Sequence, residues 1–559
     1  MSNQPFARYA PLIVLALSAA LYLALALPQL RHPGMHHDEA QEAGLQAMQL
    51  LTGQPVTLFR SVGIAGRYPL MVQDYIGAFH VYWAIPFLAA GGVTIQMLRL
   101  SFVAIGLIIL AVTYLAAREV WSARTGALAA LLLSTWPVFV FWTRQGLLIT
   151  SITLPVTLGA LYAAVRWWRG LHSKERRGPG WLALAAFLLA FGLYAKLLTL
   201  WFAAAAVLMA AAVTAPAWWG WLRTRRLPFG WYEALAVLAA SALGLAPLIA
   251  YNLMSGGTLL SITQNLGTSY FGVQNTDFFA NLATRVRQVR NVLDGQVFQD
   301  TLGGSFANRL MTPAFLAAIL LALAAALWLR RRATIWLLGV AILMVVESSF
   351  TVSALWHTHF GLHLPWFALL MAVALAGLPE LAGPVGERPS SPQMERRGKS
   401  GVWLWIAAAA AALLAIANAY TTLRYHRELA STGGRLSYSS SIYTLAAALD
   451  TPGAPPVAAM DWGIGPAGTF LTAGRVAPQD IFGYDWEPDP GFAERVNGYL
   501  QLDEAIFVFH APDRTLFQRR AAFDALLAAW PDRAAESTVI TETDGAPLYE
   551  VIHVRRTAQ

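Results

Sequence analysis

The 559-residue chain contains no cysteine, and only 13% of it is charged while 57% is hydrophobic. The missing cysteine removes disulfides, thiolate catalysis and Cys-based metal sites together. The shortage of charge excludes a soluble protein of this length, because ordinary soluble domains carry about 25% charged residues. Also missing are a GxGxxG on a strand–helix turn, a P-loop and an HExxH pair. Soluble nucleotide-sugar or ATP chemistry therefore has no local support. No short internal repeat is visible. The net charge of +8 is not a nucleic-acid signal, because the Lys and Arg sit mostly in short clusters between apolar runs.

Those apolar runs are what the chain has in abundance. About 20 apolar residues span a bilayer as a helix, and the bilayer offers the backbone no water, so helices are the expected structure. Eleven spans are expected, near 10–27, 99–117, 126–142, 151–168, 181–195, 197–215, 233–251, 311–329, 334–350, 364–380 and 402–420. The first is read as an uncleaved span with a cytoplasmic N-terminus, rather than a signal peptide, because it is long and many spans follow. Twenty-one Trp and eighteen Tyr suit two membrane interfaces.

The segment 79–97 is apolar enough to cross but carries Gly91 and Gly92. The basic clusters Arg118/Arg124, 166–177, 223–226, 330–332 and 388–399 arbitrate. All of them fall on the cytoplasmic side if 79–97 does not cross, as the positive-inside rule asks. This segment is therefore read as a helix in the outer interface. Residues 1–420 form the membrane module. Its loops 28–98 and 252–310 lie outside, and 382–400 is a cytoplasmic Pro/Ser/Arg-rich linker. Residues 421–559 are expected to fold outside as a small α/β domain, with strands at 505–509 and 548–554 and helices at 443–449 and 515–530. The fold class is thus a polytopic α-helical plasma-membrane protein with interfacial helices in its first outer loop and an extracytoplasmic α/β domain.

The most informative stretch is His36-His37-Asp38-Glu39-Ala40, opening an amphipathic helix over roughly 39–51 just outside the first span. Ionisable groups at this level are functional when they face a cavity, and a carboxylate there can take a proton from an acceptor hydroxyl. The blander reading makes Asp38 a helix cap and Glu39 a first-turn acid. With His32, the two histidines and these acids are also compatible with a divalent cation. Asp74 opens the interfacial segment as a cavity-facing acid or an ordinary helix-entry acid. Arg99 and Arg144, at the ends of spans, either snorkel to headgroups or hold a lipid phosphate. Lys196 interrupts an apolar stretch near the outer face. His357, His359 and His363 crowd a span entrance, where they meet an anionic group, bind a metal or hydrogen-bond at the interface. Arg285, Arg287, Arg290 and Arg309 lie in the second outer loop and either contact phosphate or are solvated.

These features resemble the GT-C glycosyltransferases, and among them the protein O-mannosyltransferase and aminoarabinose-transferase-like group (glycosyltransferase family 39-like). The residues that carry the resemblance are His37-Asp38-Glu39-Ala40, the segment 74–87 followed by Arg99, the order 115–127 then Pro137 then Arg144, and the run 192–196. Tyr251-Asn252 and 359–365 add to it. The likeness covers about the first 420 residues. It implies a polyprenyl-phosphate-linked sugar donor and inversion at the anomeric carbon, with a protein, lipid or glycan acceptor. By the same resemblance Asp38 is the base, Glu39 orients the acceptor and Asp74 is a second acid. Arg99, with Lys196 or His359, would neutralise the leaving phosphate, and Arg144 and His363 stand beside them as candidates. The chain departs from the family where Tyr75-Ile76-Gly77-Ala78 replaces the usual Pro-rich stretch after the second acid. A transporter or lipid flippase is the rival class, and it would favour internal repeats and broken helices with midplane charges.

Overall fold

The structure, a computed structural model, describes residues 4–146, 150–171, 180–224, 230–352, 355–381 and 394–557. Most of the expected linker, residues 382–393, lies outside the described residues, as do basic positions within 172–179 and 225–229. All eleven expected runs are helical. Ten are single helices, and the run at 126–142 is a pair, Ala123–Thr135 and Pro137–Gln145, bent by 70°. Proline explains the bend. Pro137 takes the first helical position, and the residue before a proline is pushed out of the helical region, so Trp136 is extended at φ −68°, ψ 122°. Among the described residues seven helices are long and apolar enough to cross a membrane, or eight if the bent pair is one span.

The awkward segment is a helix over Phe79–Gly91, ended by Gly92 at φ +84°. Thirteen residues rise about 20 Å, short of the roughly 30 Å hydrocarbon core. Between the first span and this helix lie another helix and two small hairpins. That helix runs from His37 to Thr52, is mostly buried, and its middle turn, Ala40–Gly44, is π-helical. The hairpins pair β1 (Gly63–Ile64) with β2 (Tyr68–Pro69) and β3 (Met71–Gln73) with β4 (Ile76–Gly77).

The last membrane helix does not stop near 420 but continues to Thr432, carrying the chain into the C-terminal domain. That domain is a five-stranded sheet in the order β6-β5-β7-β9-β8. Its strands are β5 (Val457–Ala459), β6 (Gln479–Asp480), β7 (Glu504–His510), β8 (Arg533–Thr541) and β9 (Pro547–Arg556). The first three neighbours are parallel and β9 and β8 are antiparallel. Side chains alternate across a strand. Ala458, Ala505, Phe507 and Phe509 therefore face the helices Phe492–Leu500 and Arg520–Ala528. Val457, Ala459, Ile506 and Val508 face the other way, into the same core as the membrane helices. The domain is thus packed onto the membrane module through one sheet face.

Candidate active site

The chain leaves the first span into an irregular segment, 28–36, whose carbonyls have no ladder to satisfy them. Two arginines from below do so. Arg99 donates from one terminal nitrogen to Leu30 O and Pro33 O, both at 2.9 Å, and from the other to Gly34 O at 3.3 Å. Its remaining donors close a two-point ion pair on Glu39, Nε to Oε1 at 2.7 Å and the second terminal nitrogen to Oε2 at 2.8 Å. All five N–H groups of a guanidinium are then engaged. Arg99 has no donor left for a lipid phosphate, which corrects the role expected of it. Arg144, at the end of the bent pair, donates to Gln29 O at 2.6 Å and His32 O at 3.0 Å. It is fully buried under the loop rather than open to a headgroup.

The C-terminal domain holds the same segment from above. Gly34 N–H donates to Tyr438 O at 2.7 Å, and Tyr443 OH to Arg31 O at 2.5 Å. A Cβ at Gly34 would stand 2.0 Å from Ser439 O, so only glycine allows this approach. His36 stacks on Tyr438 with centroids 4.2 Å apart, and His37 packs on Trp462 at 4.4 Å. Burial pushes the His37 imidazole down to about 4, against the opposing charge of Asp38. His36 is lowered for the same reason, and its Nδ1 accepts from Asp38 N–H at 3.1 Å. Both rings are therefore neutral at ordinary pH.

Successive residues on a helix point about 100° apart. This separates the acidic pair. Glu39 turns inward and is fully buried against Arg99, while the Asp38 side chain keeps 38% of its surface exposed. The nearest ion-pair candidate for Asp38 is His36 Nδ1 at 3.7 Å, and that nitrogen is already an acceptor. Glu39 is thus tied into the loop, and the Asp38 carboxylate is the one of the two that reaches the surface.

One turn on, Glu42 is buried and accepts from Gln73 Nε2 at 2.8 Å. Burial raises its pKa well above the glutamate range, Asp38 adds to the rise, and Lys196 opposes it. Lys196 comes to this place through the backbone. Leu197 N–H donates to Tyr75 O at 3.1 Å, and Lys196 bridges Ile76 as a one-residue extension of β4. Gly77 permits the approach, since a Cβ there would meet the Tyr194 ring at 2.5 Å. Lys196 is buried and makes no ion pair among the described residues.

Asp74 is not a free acid. Arg60 grips both its oxygens at 2.7 Å, and Tyr251 OH donates to Oδ1 at 2.6 Å. Thr258 Oγ donates to its carbonyl at 2.5 Å. This cluster ties the hairpin to the helix Trp231–Ser255 and corrects the reading of Asp74 as a second catalytic acid. The histidines at the span entrance also divide. His363 is fully buried among Trp201, Phe360 and Phe367. His359 is half-buried, within the electrostatic reach of both Lys196 and Arg285. Arg285 itself is buried on the helix Phe278–Asp294, and among the described residues its guanidinium hydrogen-bonds Gln288 at 3.4 Å. His80 is buried, near Lys196, with neither ring nitrogen hydrogen-bonded.

Asp38 and Lys196 thus lie within electrostatic reach of each other, and His359, a neutral ring, lies within reach of Lys196 and Arg285. Among the described residues no three His, Asp or Glu side chains converge as a metal-ligand set, and His32, His36 and His37 point to different partners. Sequence reading missed three contributors. Glu42 and His80 carried no signal beyond an amphipathic stripe, and Trp462 lies in a tail that the motif search did not reach.

A family profile described as dolichyl-phosphate-mannose-protein mannosyltransferase matches residues 77–244. No curated protein matches the chain. Among solved structures, ArnT from Cupriavidus metallidurans bound to undecaprenyl phosphate superposes with a TM-score of 0.57 at 15% identity, covering 97% of this chain and 97% of that one. Its apo state gives the same TM-score and identity over 98% of each chain. The Archaeoglobus fulgidus oligosaccharyltransferase in its apo form gives 0.51 at 16% identity, covering 90% of this chain and 70% of that one. End-to-end coverage of ArnT takes in both the helical bundle and the C-terminal sheet, so this chain shares the overall fold of that protein, and the oligosaccharyltransferase is similar to it in fold.

Proposed function

We propose that this chain is a membrane glycosyltransferase that moves a sugar from a polyprenyl-phosphate donor to an acceptor hydroxyl on the extracytoplasmic face. The observation that carries the reading is Asp38, a half-exposed carboxylate without a cationic partner, set beside the buried Lys196. Asp38 accepts the proton of the acceptor hydroxyl as its oxygen attacks the anomeric carbon. The bond from that carbon to the phosphate oxygen breaks on the opposite side, so the configuration inverts and polyprenyl phosphate leaves. Negative charge grows on the leaving oxygen, and preorganised cations there lower the barrier. Lys196 is the principal candidate for this, with Arg285 and His359 behind it. Arg99 and Arg144 act one step back, by holding the loop that carries Asp38.

The family profile and the undecaprenyl phosphate bound to the structurally similar ArnT support the choice of donor. The basic clusters support a cytoplasmic N-terminus and an outside C-terminal domain at the plasma membrane. The test is turnover of a radiolabelled polyprenyl-phosphate sugar by the purified chain in proteoliposomes. Release of polyprenyl phosphate with label in an acceptor is expected. Movement of labelled lipid or sugar across the bilayer without cleavage of the sugar–phosphate bond would make the chain a transporter or flippase and overturn the reading.

A further inference from the structure

The parallel part of the C-terminal sheet, β6-β5-β7, ends its three strands on one edge. In open sheets of this kind ligands bind outside the carboxyl ends of the strands. Here that edge is where the domain meets the first outer loop. The turn after β5 carries Asp461 and Trp462, the one after β6 carries Tyr484 and Trp486, and the one after β7 carries Thr515 and Phe517.

Asp461 is fully buried and organises this edge. Oδ2 contacts His510 Nδ1 at 2.9 Å and accepts from Thr515 Oγ at 2.7 Å and Leu516 N–H at 2.9 Å. Oδ1 accepts from Phe517 N–H at 3.0 Å and from Trp462 N–H at 2.8 Å. One carboxylate therefore fixes the turns after β5 and β7 together. The result is a half-buried Trp462 lying on His37 at 4.4 Å and on His36 at 5.3 Å, next door to Asp38. A second group of aromatic rings lies on the turns after β6 and β7. Phe517 stacks on Trp486 at 5.5 Å and Trp486 on Tyr270 of the second outer loop at 5.5 Å. Phe271 bridges Trp486 to Trp356 at the span entrance. Tyr484 and Trp486 keep 53% and 46% of their surface open, and Tyr270 keeps 45%.

A packing core would cover these rings. A lipid-facing belt would not mix them with the exposed Asp480, whose Oδ2 lies 3.5 Å from Tyr484 OH. Flat rings that are open on one side, with carboxylate and hydroxyl groups between them, suit a pyranose. Its C–H faces rest on the rings while its hydroxyls bond at the edge. A peptide hydroxyl would need backbone hydrogen-bonding partners, which this track of side chains does not offer.

Resting on the glycosyltransferase reading, we infer that the carboxyl edge of the C-terminal sheet, from Trp462 outward to Tyr484 and Trp486, is a saccharide-binding acceptor subsite. The acceptor is then a glycan whose terminal hydroxyl reaches Asp38. Trp462 positions that terminal sugar, and the outer rings hold the sugars before it.

The test is independent of turnover. Binding of chitotetraose and of maltotetraose to the full-length chain in detergent is measured by saturation-transfer NMR and equilibrium dialysis. Binding of at least one is expected. Trp462→Ala and Trp486→Ala should each weaken it by 10-fold or more, Trp462→Phe should recover most of it, and Trp405→Ala on the last span should leave it unchanged. Unfolding temperatures check that the variants fold. Failure of both saccharides to bind, or binding that ignores Trp462 and Trp486, would overturn the subsite. So would transfer to a peptide or lipid hydroxyl in preference to a saccharide. Saccharide binding with the expected variant pattern, but no cleavage of the lipid donor, would leave the subsite standing and defeat the catalytic reading instead.

Discussion

Arg99 and Glu39, sixty positions apart, form a two-point ion pair that is fully buried where the helix Ile95–Val120 meets the first outer loop. The pair does for the loop what a ladder does for a strand. It pins Glu39 inward, and the helical rotation then turns Asp38 outward. Removing one partner of such a buried pair leaves an uncompensated charge at a cost of about 3–5 kcal/mol. Arg99→Met and Glu39→Leu should each lower the unfolding temperature sharply and abolish transfer. The double variant should be more stable than either single one, because no charge is stranded. A double-mutant cycle on unfolding in detergent checks this. Additive losses would show that the pair does not act as a unit.

Lys196 is the cation we place at the leaving phosphate. Removing one preorganised transition-state contact of this kind costs about 10²–10³ in kcat. Lys196→Met should therefore lose about two orders of magnitude in donor cleavage, and Lys196→Arg should retain a measurable part. A change confined to the acceptor KM would place Lys196 elsewhere.

Histidine burial predicts acid lability of the outer loop. His37 is held near 4 when folded, against 6.5 when exposed. Its neutral form is favoured in the folded chain, so its contribution is complete above pH 6.5 and is lost as pH falls toward 4. The loss reaches about 3 kcal/mol at most, since each pKa step is worth about 1.4 kcal/mol. His37→Phe keeps a ring on Trp462 and should flatten the acid side of the stability curve. An unchanged slope between pH 6.5 and 4 would contradict the burial of a neutral ring there.

Glu42 gives the opposite sign. Its folded pKa is raised by burial, so its contribution is full below the ordinary value of 4.5 and is lost as pH rises through the raised value. Glu42→Gln keeps the acceptor for Gln73 and removes the titration. The variant should match the wild type at pH 4 and be the more stable of the two at pH 8, as read by unfolding temperature across that range. Wild-type superiority at pH 8 would mean that Glu42 is ionised and paired.

The fold was largely legible because each apolar run reports its own surroundings. The short helix ended by Gly92 was signalled by its glycines, whereas the bend at Trp136–Pro137 was passed over, because the run 126–142 is apolar throughout and reads as one span. The C-terminal sheet was half legible. β7 and β9 are apolar because they are interior strands, whereas β5 has three residues and β8 is a mostly exposed edge. Short or exposed strands have no pattern to read. At the site, Asp38 stood out by type and place. Arg99 was misread because an arginine at the outer end of a span looks the same whether it meets a headgroup or a backbone carbonyl. Its partners Leu30, Pro33 and Gly34 act through atoms that every residue has. Asp74 was misread for a related reason, since Arg60 and Tyr251 reach it from 14 and 177 positions away.

The most direct test of the account is kcat of the Asp38→Asn chain, with saturating lipid-linked sugar and acceptor, beside its unfolding temperature. General-base removal should cost at least about 100-fold. The unfolding temperature should hold, because among the described residues the nearest partner of the Asp38 carboxylate is His36 Nδ1 at 3.7 Å, a weak contact to a neutral ring. Wild-type turnover by a fully folded Asp38→Asn chain would contradict the mechanism at its root.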